Sequence, residues 1–218
     1  MLCQIGQDWF QEKHYASVQC NKLDTKQLNK HLKLLKEGFK NILLLYTIEG
    51  FSSVVLNSEE ENMNEKINLL YKMRFMENEG DSIEIFENIL NEMSLEGTND
   101  IILDLCTIFE DEVAEPSAND YLIETIFYIA KRNDLEEGLY KLALGTSKML
   151  PHAEFWAERI HRILLNSKDL VISYGKALEK LENSTKQTIK EILMVIKDDD
   201  PDLYLGRANS LLEKLSYT

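Results

Sequence analysis

Helix breakers are sparse in this sequence, and they are spaced in order. Three prolines and nine glycines are distributed over 218 residues, so most of the length favours helix. From residue 81 onward the breaks become regular. Asp81 precedes an amphipathic run from Ile83 to Met93. Glu96-Gly97 ends it, and Thr98-Asn99 opens a second run to Phe109. Pro116-Ser117 interrupts the chain before a helix from Asp120 to Arg132. Asn133-Asp134 turns into one from Leu135 to Leu150. Pro151 suits the first turn of a helix to Leu165. Asn166-Ser167 begins one over Lys168 to Leu181, Ser184 caps Thr185 to Lys197, and Asp200-Pro201 opens the last, to Leu215. Each start has near it a side-chain acceptor for free backbone N–H groups, or a proline that has no N–H to satisfy.

These eight helices form four pairs beginning near 81, 117, 151 and 184, so the spacings are 36, 34 and 33 residues. Helix pairs repeating at that period are the mark of an α-solenoid. The expected fold is all-α: antiparallel helix pairs stacked as a short, HEAT-like α-solenoid, or an irregular helical bundle. Residues 81–218 would form this main domain. Residues 1–80 would be an N-terminal helical segment capping the array. In that segment Thr25 to Leu45 carries Leu28, Leu32, Leu35, Phe39 and Ile42 on one stripe. Gly50 to Asn57 reads as a short strand or hairpin, or as a helix end. Glu59 to Asn62 reads as an exposed loop, and Asn64 to Met76 as a helix. Residues 1–24 carry no assignable pattern, although the aromatic side chains of Trp9, Phe10 and Tyr15 favour packing.

The net charge of −14 is concentrated. Residues 1–50 hold seven Lys against five Asp/Glu, whereas residues 75–130 hold 15 Asp/Glu and no Lys or Arg. Ile83, Phe86, Leu90, Ile101, Leu105 and Phe109 recur through that window at helical spacing, so it folds. Such a block reads either as a solvated surface or as a face that steers basic partners, and it disfavours nucleic acid and anionic membranes. The N-terminus lacks the basic start and apolar stretch of a signal peptide, and no apolar run approaches the roughly 20 residues of a membrane span. Cys3, Cys20 and Cys106 are odd in number and widely spaced, which suits a reducing compartment, so a cytoplasmic location is expected.

Catalytic patterns are missing. No nucleophile elbow, phosphate loop, dinucleotide glycine pattern or zinc-protease motif is present. His152 and His161 stand nine residues apart on one expected helix, off ligand spacing, and read as surface or capping residues. Cys106, within the apolar run Leu103 to Phe109, reads as a buried thiol. No catalytic residue, metal site or cofactor is expected.

Glu110, Asp111, Glu112 and Glu115 form the densest constellation, with Asp104 and Asp120 on either side. They gather where the expected second helix ends, a placement that opposes the helix dipole. Three readings stay open: a solvated loop, a contact point for Lys/Arg of a partner, and a divalent-cation site. The last lacks the spaced oxygens and glycine of a calcium loop. Asp198, Asp199, Asp200 and Asp202 form a second cluster, partly explained as capping before Pro201. Trp156, Ile160, Ile163 and Leu164 make a core stripe, from which Arg159 and Arg162 could pair with the acidic window.

Two segments carry a resemblance. Leu105, Cys106, Phe109, Glu110 and Asp111, followed by Trp156, Ala157, Ile163, Leu164 and Asn166, resemble the immunity protein 30 family of bacterial polymorphic toxin systems over roughly residues 80–200. Glu110 stands where the pattern has Asp, which keeps the charge. The resemblance implies an all-helical, non-enzymatic, cytoplasmic protein that neutralises a cognate toxin. The expected partner is a protein toxin with a basic surface, of the kind a nuclease presents, met through Glu110, Asp111, Glu112, Glu115, Asp104 and Asp120. A helical-repeat adaptor that binds a basic cellular protein is the alternative, since one solenoid surface serves either role.

Overall fold

A computed structural model describes residues 62–216, which lie in one compact unit, Glu59–Thr218. The helix over Thr25–Leu45, the Gly50–Asn57 segment and the aromatic residues Trp9, Phe10 and Tyr15 lie outside the described residues. Those described are all-helical. Residues 62–73 form α1, followed by α2 (Ile83–Glu96), a 3-10 turn (Asn99–Ile101), α3 (Ile102–Leu105), α4 (Ser117–Arg132), α5 (Leu135–Met149), α6 (Glu154–Asn166), α7 (Lys168–Glu179), α8 (Asn183–Asp199) and α9 (Pro201–Ser216). Asn62 is helical rather than part of a loop. α1 stops at Met73 because Met76 takes a left-handed conformation, φ 56°, and turns the chain.

The starts follow local chemistry. Ser82 accepts from the Ile85 N–H, Asp134 from Glu137, Ser167 from Leu170 and Asp200 from Leu203. α8 begins at Asn183, ahead of Ser184, with no side-chain cap from Glu182. The second run is much shorter than its apolar pattern suggests. It is helical only to Leu105, because Thr107 returns both its N–H and its hydroxyl to the Asp104 carbonyl and tightens the chain out of the helix. Pro151 is not a first helical residue. The Leu150–Pro151 bond is cis, residues 151–153 form a turn, and α6 starts at Glu154.

Packing is that of a stack. α4/α5, α6/α7 and α8/α9 are hairpins whose turns are Asn133–Asp134, Ser167 and Asp200. First helices pack on first helices, α2 on α4 and α6 on α8. Second helices pack on second helices, α3 on α5, α5 on α7 and α7 on α9. The core runs continuously through Phe86, Leu90, Leu105, Leu122, Ile126, Leu142, Trp156, Ile160, Leu178 and Leu193. At α4 and α6 the regular stacking lapses. The loop after α3 is laid there, with Phe109 against Trp156 at 6.4 Å between ring centroids. At one hairpin the approach is close enough to require glycine: a Cβ on Gly138 would overlap Ala130 of α4 and come within 2.7 Å of its Cα.

Candidate functional site

The carboxylate loop, residues 106–116, is a braced part of the fold. Glu110 is only 8% exposed. Its Oε1 accepts from Arg74 Nε at 2.8 Å, and its carbonyl accepts from the Asn119 side chain at 2.8 Å. The Arg74 guanidinium also lies 4.0 Å from the Tyr71 ring centre and donates to the Tyr71 carbonyl. Asp111 joins the loop to α6. Its N–H donates to the His152 carbonyl at 3.0 Å, and its Oδ2 accepts from the Phe155 N–H at 3.2 Å. Ala114 donates to the Phe75 carbonyl at 2.9 Å, which ties the loop to the turn after α1.

This geometry reverses the electrostatic argument drawn from sequence. The carboxylates do not crowd the end of a helix, because α3 has already stopped at Leu105. Asp111 sits at the N-terminus of α6, and Glu115, which accepts from the Ser117 hydroxyl at 2.9 Å, stands just before α4. Both meet the positive end of a helix dipole, where negative charge is stabilising.

The six acidic residues singled out in the sequence therefore divide. Glu110 is inside, held by Arg74. Asp111 is exposed, with one oxygen engaged as a cap. Glu112 and Glu115 are exposed. Asp120 is half-buried and pairs with Arg159 at 2.8 Å, and Asp104 is half-buried on α3. Arg162 turns the other way, to Asp199 at 2.8 Å and to Glu158, so it serves the C-terminal aspartate cluster and not the acidic window. Among the described residues no group of three or more His, Cys, Asp or Glu could hold a metal ion, and no helix is long and apolar enough to cross a membrane.

Sequence reasoning misplaced one histidine. His161 is not a surface or capping residue but is buried, 1% exposed, its Nδ1 donating to the Ala157 carbonyl and its Nε2 facing the Tyr174 hydroxyl at 2.9 Å. Burial pushes the ring down to about 4. The signal was its place on the inward stripe of Ala157, Ile160 and Leu164. Cys106 is buried beneath Gly145, and burial pushes its thiol up to about 12, so it is not a nucleophile at neutral pH. Sequence reasoning also passed over Arg74, Phe155 and Tyr121. Burial, and then the nearby carboxylates of Glu87, Glu124 and Glu115, push the Tyr121 phenol up.

The acidic window, the Leu105–Asp111 loop and the Trp156 helix thus form one continuous region. The immunity protein 30 family model matches residues 72–174. The immunity protein 30 match covers just under half of the chain, from within α1 to Tyr174 in α7. It contains every hydrogen bond that braces the loop, and it agrees with the resemblance read from Leu105–Asp111 and Trp156–Asn166. No curated protein and no solved structure matches the chain.

Proposed function

We propose that this chain is an immunity protein that binds a cognate polymorphic toxin and blocks its active surface by 1:1 occlusion, without chemistry of its own. The immunity protein 30 match over residues 72–174 carries the proposal. The charge supports a basic toxin: 75–130 lacks Lys and Arg. A nuclease toxin must hold phosphates in a basic groove, so an acidic cover excludes substrate by shape and by charge. Complementary charge also speeds encounter. Of the acidic candidates, Glu112 and Glu115 are the most exposed contacts, Asp111, Asp104 and Asp120 flank them in sequence, and Glu110 is held inside by Arg74.

Co-expression with the product of the neighbouring gene tests the reading. Growth rescue and a stable 1:1 complex are expected, with an association rate that falls at least tenfold between about 50 mM and 500 mM salt as screening shortens the field. A toxin that neither binds nor is neutralised removes the immunity assignment, and a salt-independent association rate removes its electrostatic part.

A further inference from the structure

Three connections, every second one along the chain, lie side by side at one edge of the stack. They are the turn after α1, the loop 106–116 and the turn 150–153 that leads into α6. Arg74–Glu110 and Ala114–Phe75 join the first to the second, and Asp111–His152 and Asp111–Phe155 join the second to the third. On this edge stands Phe155, 59% exposed, while its neighbour Trp156 is 4% exposed. The inward stripe of α6 is Trp156, Ile160 and Leu164, so a residue one position earlier is turned about 100° away from the core. The ring is fixed nonetheless. It packs edge-on against Trp156 at 5.3 Å, and its own backbone N–H is held by Asp111.

The connections that meet beside Phe155 are acidic, with no Lys or Arg in 75–82, 106–116 or 150–155. Glu112, Glu115 and Glu154 are exposed, as are Glu77 and Glu79 on the adjoining turn. The nearby guanidinium groups of Arg74 and Arg159 are paired with Glu110 and Asp120. Two other exposed apolar residues have different settings. Ile172 of α7 is flanked one turn away on each side by Lys168 and Lys176. Leu95 of α2 lies next to Arg132, which donates to its carbonyl.

Building on the immunity reading, we infer that this edge is where the toxin docks: Phe155 enters an apolar pocket of a basic protein, and Glu112, Glu115 and Glu154 pair with Lys or Arg around that pocket. An aromatic anchor ringed by polar contacts is the usual anatomy of an interface hot spot. Because the three connections are already hydrogen-bonded to one another, little order has to be gained on binding. A second copy of this chain is a poor occupant, since it would set one acidic edge against another.

The test uses the purified full chain and the purified toxin domain encoded by the neighbouring gene. Phe155→Ala is expected to raise Kd at least tenfold, chiefly through faster dissociation. Glu112→Lys combined with Glu154→Lys is expected to slow association at least tenfold, with the helical spectrum of the free chain kept and only a small fall in its melting temperature from the charge change at the start of α6. Hydrogen exchange on the wild-type complex gives a readout free of mutation, with protection expected over 106–116 and 150–158. Wild-type binding that both variants retain, or protection confined to other helices, overturns the docking edge and leaves the immunity reading intact. A free chain that is dimeric, and becomes monomeric with Phe155→Ala, assigns the edge to a second copy and overturns it as well. Wild-type chain that captures no toxin overturns both.

Discussion

At His161 the chemistry of one side chain sets a pH dependence for the whole fold. A carbonyl can only accept, so Nδ1 carries the proton toward Ala157, and Nε2 accepts from the Tyr174 hydroxyl. The native state therefore needs the neutral ring. Its pKa is about 4 folded, against 6.5 for the free side chain. The unfolded chain binds the proton first, so stability is full above about pH 6.5, declines as pH falls toward 4, and levels off below. The loss is on the order of 3 kcal/mol. Chemical denaturation between pH 7 and 4 should show it, and His161→Gln should flatten that slope while lowering stability at pH 7. The Cys106 thiol should resist a thiol reagent until the chain unfolds. Gly145→Ala would overlap its sulfur and set a Cβ 2.7 Å from the Cys106 Cβ, for a loss of about 1–3 kcal/mol in a thermal or urea melt. The burial of Cys106 was legible in its apolar run. The glycine above it was not, because the two are 39 residues apart and meet only when α5 folds back over the loop.

Among the elements, the helix starts with a local side-chain cap were the most legible, because such a cap is a local event, whereas the uncapped starts at Ser117, Glu154 and Asn183 lie two or three residues from Asp120, Pro151 and Thr185. Ser82, Asp134, Ser167 and Asp200 each bond an N–H three residues on. Ends governed from a distance were harder to read. α6 has no local side-chain cap and borrows Asp111 from 44 residues earlier. Asp111→Ala should cost about 1 kcal/mol and loosen the start of α6, visible as faster amide exchange at Phe155–Ala157. α2 and α6 also lack a basic residue in the last turn. The next pairs supply one: Arg132 donates to the Leu95 and Gly97 carbonyls, and Arg207 to Leu165 at 2.7 Å. A cation there satisfies free carbonyls and the negative end of the dipole together. Arg132→Met should lower the melting temperature more than Lys190→Met on the exposed surface of α8.

For the molecule as a whole, polar links between pairs recur at about one repeat of separation. Asn99 reaches the Asp134 carbonyl, Lys141 pairs with Asp100, Arg159 with Asp120, and Lys214 with Glu179. Each pair thus leans mainly on its neighbours, as in a one-dimensional array. Native-state hydrogen exchange should find α9 opening at lower free energy than α5, which has a pair on either side. The acidic balance of residues 75–130 was legible as composition. Its division was not, because Arg74 and Arg159, which neutralise Glu110 and Asp120, lie outside that window in sequence. The loop 106–116 alternates in the same way: Phe109, Glu110 and Val113 face inward, whereas Glu112, Ala114 and Glu115 face solvent. Anchoring and display are thereby assigned to different letters of one short segment. Exchanging the outward letters changes what the rim presents while the inward ones hold its shape, so, if the docking edge proposed above is the toxin's, a library built on positions 112, 114, 115 and 155 varies its specificity on a scaffold that keeps its fold.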